Sequence, residues 1–374
     1  MHIAFVVAKY FEFGGMQRTM RRIAEELMKR GHQLEFFCLE WQGDTIYNSP
    51  IHQITCKRYT NHGRMKQFSN AWLAIRSQSN FDCVVGFNKL AGLDVYYAGD
   101  PCLAALLEEK QSHWITRTPR YKTYLNLEKA VFESGQNTEI LLISHNQKSK
   151  FQQYYQTEEQ RFHLLPPGIQ QDRLRPPPSA EEIANLHHQL GIEPQDRLLL
   201  TIGSGFKTKG VDRVIIALAA LPEEEKQRVH YLVVGEGNVR PMKRLAKKLG
   251  VSDRVHFLGS QKKVSLYYYG AYALIHPART ENTGTTLLEA MICGLPILTT
   301  ANCGFSHYVE EANAGQVLPH PFVAEDLSSA LLLWLSSDKT PHWSQNGERF
   351  TMHNDLYSLI EKSATIIENT HKND

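Results

Sequence analysis

Leu274-Ile275-His276-Pro277-Ala278-Arg279-Thr280-Glu281-Asn282-Thr283-Gly284-Thr285-Thr286-Leu287-Leu288-Glu289-Ala290, with Gly294-Leu295-Pro296 just beyond, packs a strand, a polar turn and a helix start into one stretch. Leu274–His276 is a short apolar run closed by Pro277, which reads as a strand buried in a sheet. Glu281 follows in the turn, and Glu289 falls about one turn into the next helix. Turns at the carboxyl ends of parallel strands are where α/β sheets bind ligands. Backbone N–H groups at a helix N-terminus suit a diphosphate, and a carboxylate placed like Glu289 can accept two hydrogen bonds from a ribose diol. Both carboxylates also have a plainer explanation: surface Glu is common, and the helix dipole favours Glu near a helix start.

The same alternation extends in both directions. Leu198–Ile202, Tyr231–Val234, His256–Leu258 and Ile297–Thr299 are β-rich runs separated by helical patterns, so with Leu274–His276 they predict one parallel sheet wound through crossover helices. A second series opens the chain. The strand Ile3–Val7 leads through Gly14-Gly15 into a helix with apolar positions Met16, Met20, Ile23, Ala24 and Leu27, ended by Gly31. Leu34–Leu39, Cys83–Phe87, Val95–Ala98 and Ile140–Ser144 continue it. Between the series, Pro166-Pro167-Gly168 and Arg175-Pro176-Pro177-Pro178-Ser179 cannot donate a regular backbone ladder and mark the interdomain connection. The prediction is an α/β chain of two Rossmann-like doubly wound domains, residues 1–168 and 169–350, facing across a cleft, with a helical tail over 351–374 that can pack back on the N-terminal domain. The tail pattern runs from about Asn354 to Asn369 and reads as a final core-packing helix.

Composition removes several function classes. Lys and Arg total 41 against 39 Asp and Glu, so a formal charge of +2 makes no general case for nucleic acid. The cysteines, Cys38, Cys56, Cys83, Cys102, Cys293 and Cys303, form no C-x-x-C pair and read as reduced thiols of a cytosolic protein. Met1–Val7 lacks a cationic leader, and no apolar run approaches the roughly 20 residues of a membrane-spanning helix. No Asp-x-Asp occurs to hold a divalent ion on a diphosphate. Gly235-Glu236-Gly237-Asn238-Val239-Arg240 lacks the third glycine of a dinucleotide fingerprint, which weakens a dehydrogenase reading.

Glu281 and Glu289, with Gly284, Leu288-Glu289-Ala290 and Gly294-Leu295-Pro296, resemble the E-x7-E motif of the retaining glycosyltransferases of family 4, which have the GT-B fold. The resemblance implies that Glu281 faces the donor sugar, that Glu289 holds the ribose, and that Thr283, Gly284 and Thr285 form the donor-binding turn. Ile202-Gly203-Ser204-Gly205-Phe206-Lys207-Thr208-Lys209-Gly210-Val211-Asp212 is similar to the family's companion segment. There the resemblance puts Lys209 on the donor diphosphate, where a fixed cation stabilises the leaving group. Lys209 reads as sitting at a helix N-terminus, against the preference of the dipole. Ser204 and Thr208 stand where the family often has an arginine, which leaves Lys207 or Arg173 to complete the phosphate grip.

Lys9-Tyr10-Phe11, Gly14-Gly15, Gln17-Arg18, Thr60-Asn61-His62-Gly63-Arg64, Val85-Gly86-Phe87-Asn88-Lys89, Gly92–Tyr96 and Pro166–Ile169 resemble bacterial members that place glucose on a heptose of the lipopolysaccharide inner core. This closer resemblance implies UDP-glucose as donor, no metal cofactor, an inner-core acceptor and retained anomeric configuration. It matches Arg173 to a family arginine, and Gly15 to a site where backbone approaches the donor without a Cβ clash. It also places Asp100 near the transferred glucose, to orient a sugar hydroxyl or deprotonate the acceptor; a strand-end Asp also serves simply as a helix cap. Thr19 replaces an acidic residue of the relatives. Trp114, Arg117, Arg120, Tyr121 and Lys122 concentrate cations and aromatics, which suits an anionic inner-leaflet surface and a cytoplasmic, peripheral location; a solvated loop has the same composition. Competing readings are transfer of another hexose to a lipid-linked acceptor and a non-catalytic sugar- or nucleotide-binding protein of two lobes.

Overall fold

The structure, a computed structural model, describes residues 1–11, 15–109, 115–170, 174–336 and 340–370. It forms two compact units, one of Met1–Gly168 with the segment from Tyr357 onward, the other of Ile169–Leu356.

The first unit is built on seven strands: β1 (His2–Phe11), β2 (Gln33–Gln42), β3 (Ile51–Gln53), β4 (Cys83–Gly86), β5 (Val95–Ala98), β6 (Glu139–Leu142) and β7 (Phe162–Leu164). They pair in the order β3-β2-β1-β4-β5-β6-β7, every pairing parallel. Side chains alternate across β1, and both faces are covered. Ile3, Phe5 and Val7 join one core with Met20, Ile23 and Leu27, whereas Ala4 and Val6 join another with Phe68, Trp72 and Phe132. The helix Leu359–Thr370 completes the first core through Ile360, Ala364 and Ile367, and Glu368 accepts from Arg30 (2.9 Å) and pairs with His32 (2.7 Å).

The second unit contains β8 (Arg197–Ile202), β9 (Val229–Val234), β10 (Val255–Gly259), β11 (Ala273–His276), β12 (Ile297–Thr300) and β13 (Gly315–Leu318), ordered β10-β9-β8-β11-β12-β13 and again parallel. The doubly wound α/β architecture expected for both halves is present. In each sheet the chain adds strands on one side of its first strand and then crosses to the other. The reversals fall between β1 and β4 and between β8 and β11, the points where such sheets hold ligands.

Three edge strands escape the sequence pattern. β3, β7 and β13 have three or four residues each, mostly outside the buried class, so their composition carries little apolar signal. The expected tail helix is preceded by another. A separate helix, Thr340–His353, packs on the second unit, with Gly347 against Met291, before the chain reaches Leu359–Thr370.

Candidate active site

At the switch point of the second sheet, β8 ends at Ile202 and β11 at His276. Two loops leave these strands and are locked together. The first runs through Gly203 and Gly205, both with left-handed φ (143° and 77°), into the single-turn helix Phe206–Lys209 and then Gly210 (φ 78°). Arg279, from the second loop, donates its backbone N–H to the Thr208 carbonyl (2.8 Å) and its guanidinium to both oxygens of Asp212 (2.7 and 2.9 Å). Lys207 binds the same carboxylate at 2.6 Å. Burial alone would push the Asp212 carboxyl up, but Arg279 and Lys207 together hold it below the usual carboxylate range.

This clamp brings Lys209 and Glu281 together. Lys209 Nζ donates to Glu281 Oε1, and His276 Nε2 lies 2.5 Å from Glu281 Oε2. All three are largely withdrawn from water, with side-chain exposures of 16% for Lys209, 14% for Glu281 and 0% for His276. Burial pushes the Glu281 carboxyl up, yet the hydrogen bond and charge of His276 and the ammonium of Lys209 outweigh it and bring it down to about 2. Glu281 is therefore an ionised acceptor at neutral pH. Cys303 Sγ also donates weakly to Oε2 (3.9 Å), and of its roughly four lone-pair sites Glu281 keeps capacity on Oε1 for a hydroxyl donor. Lys209 has further N–H donors beyond the one on Glu281.

The turn after Glu281 holds the expected donor-binding residues. Gly284 caps the helix Thr285–Ile292 with φ 93°, and a Cβ there would lie 2.2 Å from Cys303 Sγ, so both conformation and space require glycine. The Thr283 carbonyl accepts from Phe305 N–H (2.6 Å), which ties the turn to the loop that follows β12. Inside the helix, Glu289 Oε2 accepts from Tyr268 Oη at 2.6 Å. His276, Glu281 and Cys303 place one ligand atom each within 4.8 Å of one another, a set capable of holding a cation. Glu281 there is already engaged by Lys209.

One expectation is corrected. Lys209 closes the helix Phe206–Lys209 and does not begin one; the next helix starts at Val211. Lys209 thus stands just before Gly210, the N-cap of the helix Val211–Ala219, rather than inside its first turn. Gly210, positive in φ at both helix boundaries, separates the two and is the reason one continuous helix does not form.

In the first unit Asp100 lies exposed just past β5. It is not the cap of the following helix, Leu103–Glu109. That role belongs to Glu128, fully buried, whose carboxylate accepts from the Leu103 and Ala104 N–H groups (2.8 and 3.1 Å), from Tyr155 Oη (2.6 Å) and from Lys89. Lys89 Nζ also donates to the Pro101 carbonyl at 2.8 Å, fixing the backbone beside Asp100. Gly15 starts the helix Gly15–Lys29 in open space. Arg117, Arg120 and Lys122 are exposed, with Arg120 5.7 Å from the Tyr121 ring centre. Arg173 and Trp114 lie outside the described residues. The sequence reading did not single out His276, Tyr268, Asp212, Arg279 or Glu128 as site-building groups. A histidine ending an apolar strand five residues before Glu281 was the available signal for His276.

The profile described as Glycosyl transferases group 1 matches residues 182–350, and that described as Glycosyltransferase Family 4 matches residues 13–173. Over 371 residues the chain is 42% identical to the lipopolysaccharide glucosyltransferase WaaG of Escherichia coli K12, covering 98% of both chains. The chain is a family 4 glycosyltransferase. Among solved structures, WaaG, a glycosyltransferase involved in lipopolysaccharide biosynthesis, aligns with a TM-score of 0.89 at 40% identity, over 98% of this chain and 99% of that one. Anabaena HepE in complex with UDP and glucose aligns at 17% identity with a TM-score of 0.72, over 99% and 100% of the two chains, and shares the fold. The GT-B architecture of this glycosyltransferase is thus the one its family motifs imply.

Stability should carry the mark of the buried carboxylate. Folded Glu281 titrates at about 2, against an ordinary value of 4.5. A depressed carboxyl contributes stability that is complete above its unfolded pKa and is lost as pH falls through its folded pKa. The Tm gap between wild type and Glu281→Gln is expected to stay constant from about pH 8 to about pH 5 and to narrow below about 4.5. Thermal denaturation at stepped pH checks this; a gap that already narrows between about pH 8 and about pH 6 contradicts it.

Proposed function

We propose that the chain transfers glucose from UDP-glucose to a heptose of the lipopolysaccharide inner core with retention of configuration. The observation that carries the reading is the joined Lys209–Glu281–His276 group at the switch point of a family 4 glycosyltransferase 42% identical to a lipopolysaccharide glucosyltransferase. Glu281, ionised, orients hydroxyls of the donor sugar. Glu289, steadied by Tyr268, takes the ribose diol, and the turn Thr283–Thr285 faces the diphosphate. Lys209 turns its remaining donors to the phosphates, a task the family resemblance also gives to Arg173. As the C1–O bond to the diphosphate breaks, negative charge grows on the leaving group and positive charge on the sugar. The acceptor hydroxyl attacks from the face the diphosphate leaves, and Asp100 orients the sugar or takes the hydroxyl proton.

The test is transfer of labelled glucose from UDP-glucose to heptose-terminated lipopolysaccharide, with retention read from the anomeric proton coupling. Lys209 and backbone N–H groups take the work a divalent ion would do, so the rate is expected to be unchanged by EDTA. No turnover with any nucleotide sugar would sink the enzyme reading, and a rate lost to EDTA and restored by a divalent ion would sink metal independence.

The acceptor calls for a peripheral position on the cytoplasmic face of the inner membrane. No helix among the described residues is long and apolar enough to cross a membrane. Arg117, Arg120 and Lys122, exposed beside Tyr121, provide a cationic, aromatic edge for an anionic leaflet. At about 1 kcal/mol per cation, losing the three cations costs roughly a hundredfold in binding to phosphatidylglycerol vesicles, and the triple charge reversal to Glu is expected to weaken it by at least that much. Co-sedimentation that does not change would remove these residues from the membrane contact.

A further inference from the structure

The switch point of the first sheet has no role in the chemistry above, yet it carries a built cavity. Its volume is about 280 Å³, and it lies at the carboxyl end of β1 and just past β4. Its polar lining comes from four separate sequence stretches: Lys9 with Gln17, Asn61 with Arg64, Asn88, and Tyr124. The space is slightly below the roughly 300–1,000 Å³ of drug-sized sites, which suits one sugar with its substituent better than a nucleotide.

The polar groups in it are arranged to donate. Lys9 Nζ and Arg64 Nη2 bind opposite oxygens of Glu40, at 2.7 and 2.6 Å, so one carboxylate braces two cations and leaves a net positive charge. Lys9 remains 53% exposed and Arg64 26% exposed, with N–H groups to spare. Asn88 Oδ1 is occupied by the Ala8 N–H at 2.6 Å, which leaves its amide nitrogen as the part that can bind a ligand. Gln17 Nε2 donates to the Lys9 carbonyl (3.1 Å) and leaves an amide oxygen for a hydroxyl. Two braced cations and an amide donor beside one acceptor match an anionic group carried on a sugar.

We propose that this cavity is the subsite for a phosphate or carboxylate group borne by the acceptor saccharide, held by Lys9 and Arg64 with Glu40 as their brace. The proposal rests on the glycosyltransferase reading and names the part of its acceptor that this unit grips. The donor-side group Lys209–Glu281 belongs to the other sheet, so acceptor and donor affinities separate in a variant.

Calorimetric titration of the oligosaccharide released from heptose-terminated lipopolysaccharide tests this without turnover. Lys9→Ala/Arg64→Ala is expected to bind it roughly ten- to a hundredfold more weakly, with Tm and UDP affinity unchanged. Arg64→Lys, which keeps a charge on Glu40, is expected to recover most of the affinity. Two altered saccharides identify the source of the anion. If the wild type's advantage over the double variant vanishes with dephosphorylated saccharide, the group is a phosphate; if it vanishes with carboxyl-reduced saccharide, it is a carboxylate. Equal affinity of wild type and double variant for the unaltered saccharide overturns the proposal, as does an advantage that survives removal of both anions. Glucose transfer in the same preparations reports on the function separately: absent transfer with intact, Lys9-dependent saccharide binding would refute the enzyme reading and leave the subsite standing.

Discussion

Lys209→Ala is expected to lower kcat for glucose transfer by roughly 10²–10³-fold, the usual cost of removing one preorganised group aimed at developing charge. The loss should appear in kcat more than in the KM for UDP-glucose. The diphosphate is already anionic in the ground state, but its bridging oxygen gains charge only as the bond to the sugar breaks, and an interaction that strengthens only then acts on kcat. Arginine is not expected to rescue it. The Lys209 chain runs over Gly203, where a Cβ would lie 3.1 Å from Lys209 Cε, so the stem lies close against the backbone. A guanidinium is broader than an ammonium and planar. Steady-state kinetics with separate variation of donor and acceptor, paired with UDP titration, checks both parts. A kcat within a few-fold of wild type would remove Lys209 from leaving-group stabilisation.

The sequence could reveal Lys209 and Glu281 but not what joins them. Each sits after a strand with a plain apolar signature, Leu198–Ile202 and Leu274–His276, and the parallel alternation of the chain is enough to bring such strand ends to one edge of a sheet. The clamp is different in kind. Arg279 and Asp212 are 67 residues apart, and their pairing depends on β8 and β11 being neighbours although two strands intervene in the chain. Nothing local in either residue encodes that choice. The same holds for Tyr268 on Glu289, and for Glu128, whose place in the helix Pro119–Phe132 reads as an ordinary charge until Leu103–Glu109 is seen to start against it. Lys209 shows a further limit. Its helix ends after a single turn because Gly210 adopts a left-handed φ, and a glycine within a helical pattern does not announce whether it is tolerated or used as a stop.

Gly210→Ala is expected to destabilise the second unit by about 2–5 kcal/mol, combining about 1–2 for a side chain in the left-handed region with about 1–3 for overpacking. A Cβ at Gly210 would lie 2.1 Å from the Pro277 carbonyl oxygen. That oxygen is backbone and is itself held, accepting from Arg213 Nη1 at 3.0 Å, while Arg279 N–H binds the Thr208 carbonyl at 2.8 Å two residues before the glycine. Neither loop can yield alone, so relief must come from moving the β8 and β11 ends apart. That motion separates Lys209 from Glu281, and UDP-glucose affinity should fall together with a Tm drop of roughly 5–15 °C. Gly15→Ala supplies the contrast. Its Cβ meets nothing within 4 Å and its φ is not left-handed, so its stability should be within about 0.5 kcal/mol of wild type. Calorimetry on both variants, with donor titration on Gly210→Ala, decides the matter. A Gly210→Ala protein that melts like wild type would show that the two loops are free to part, and the close approach of β8 and β11 could then no longer be what holds Lys209 on Glu281.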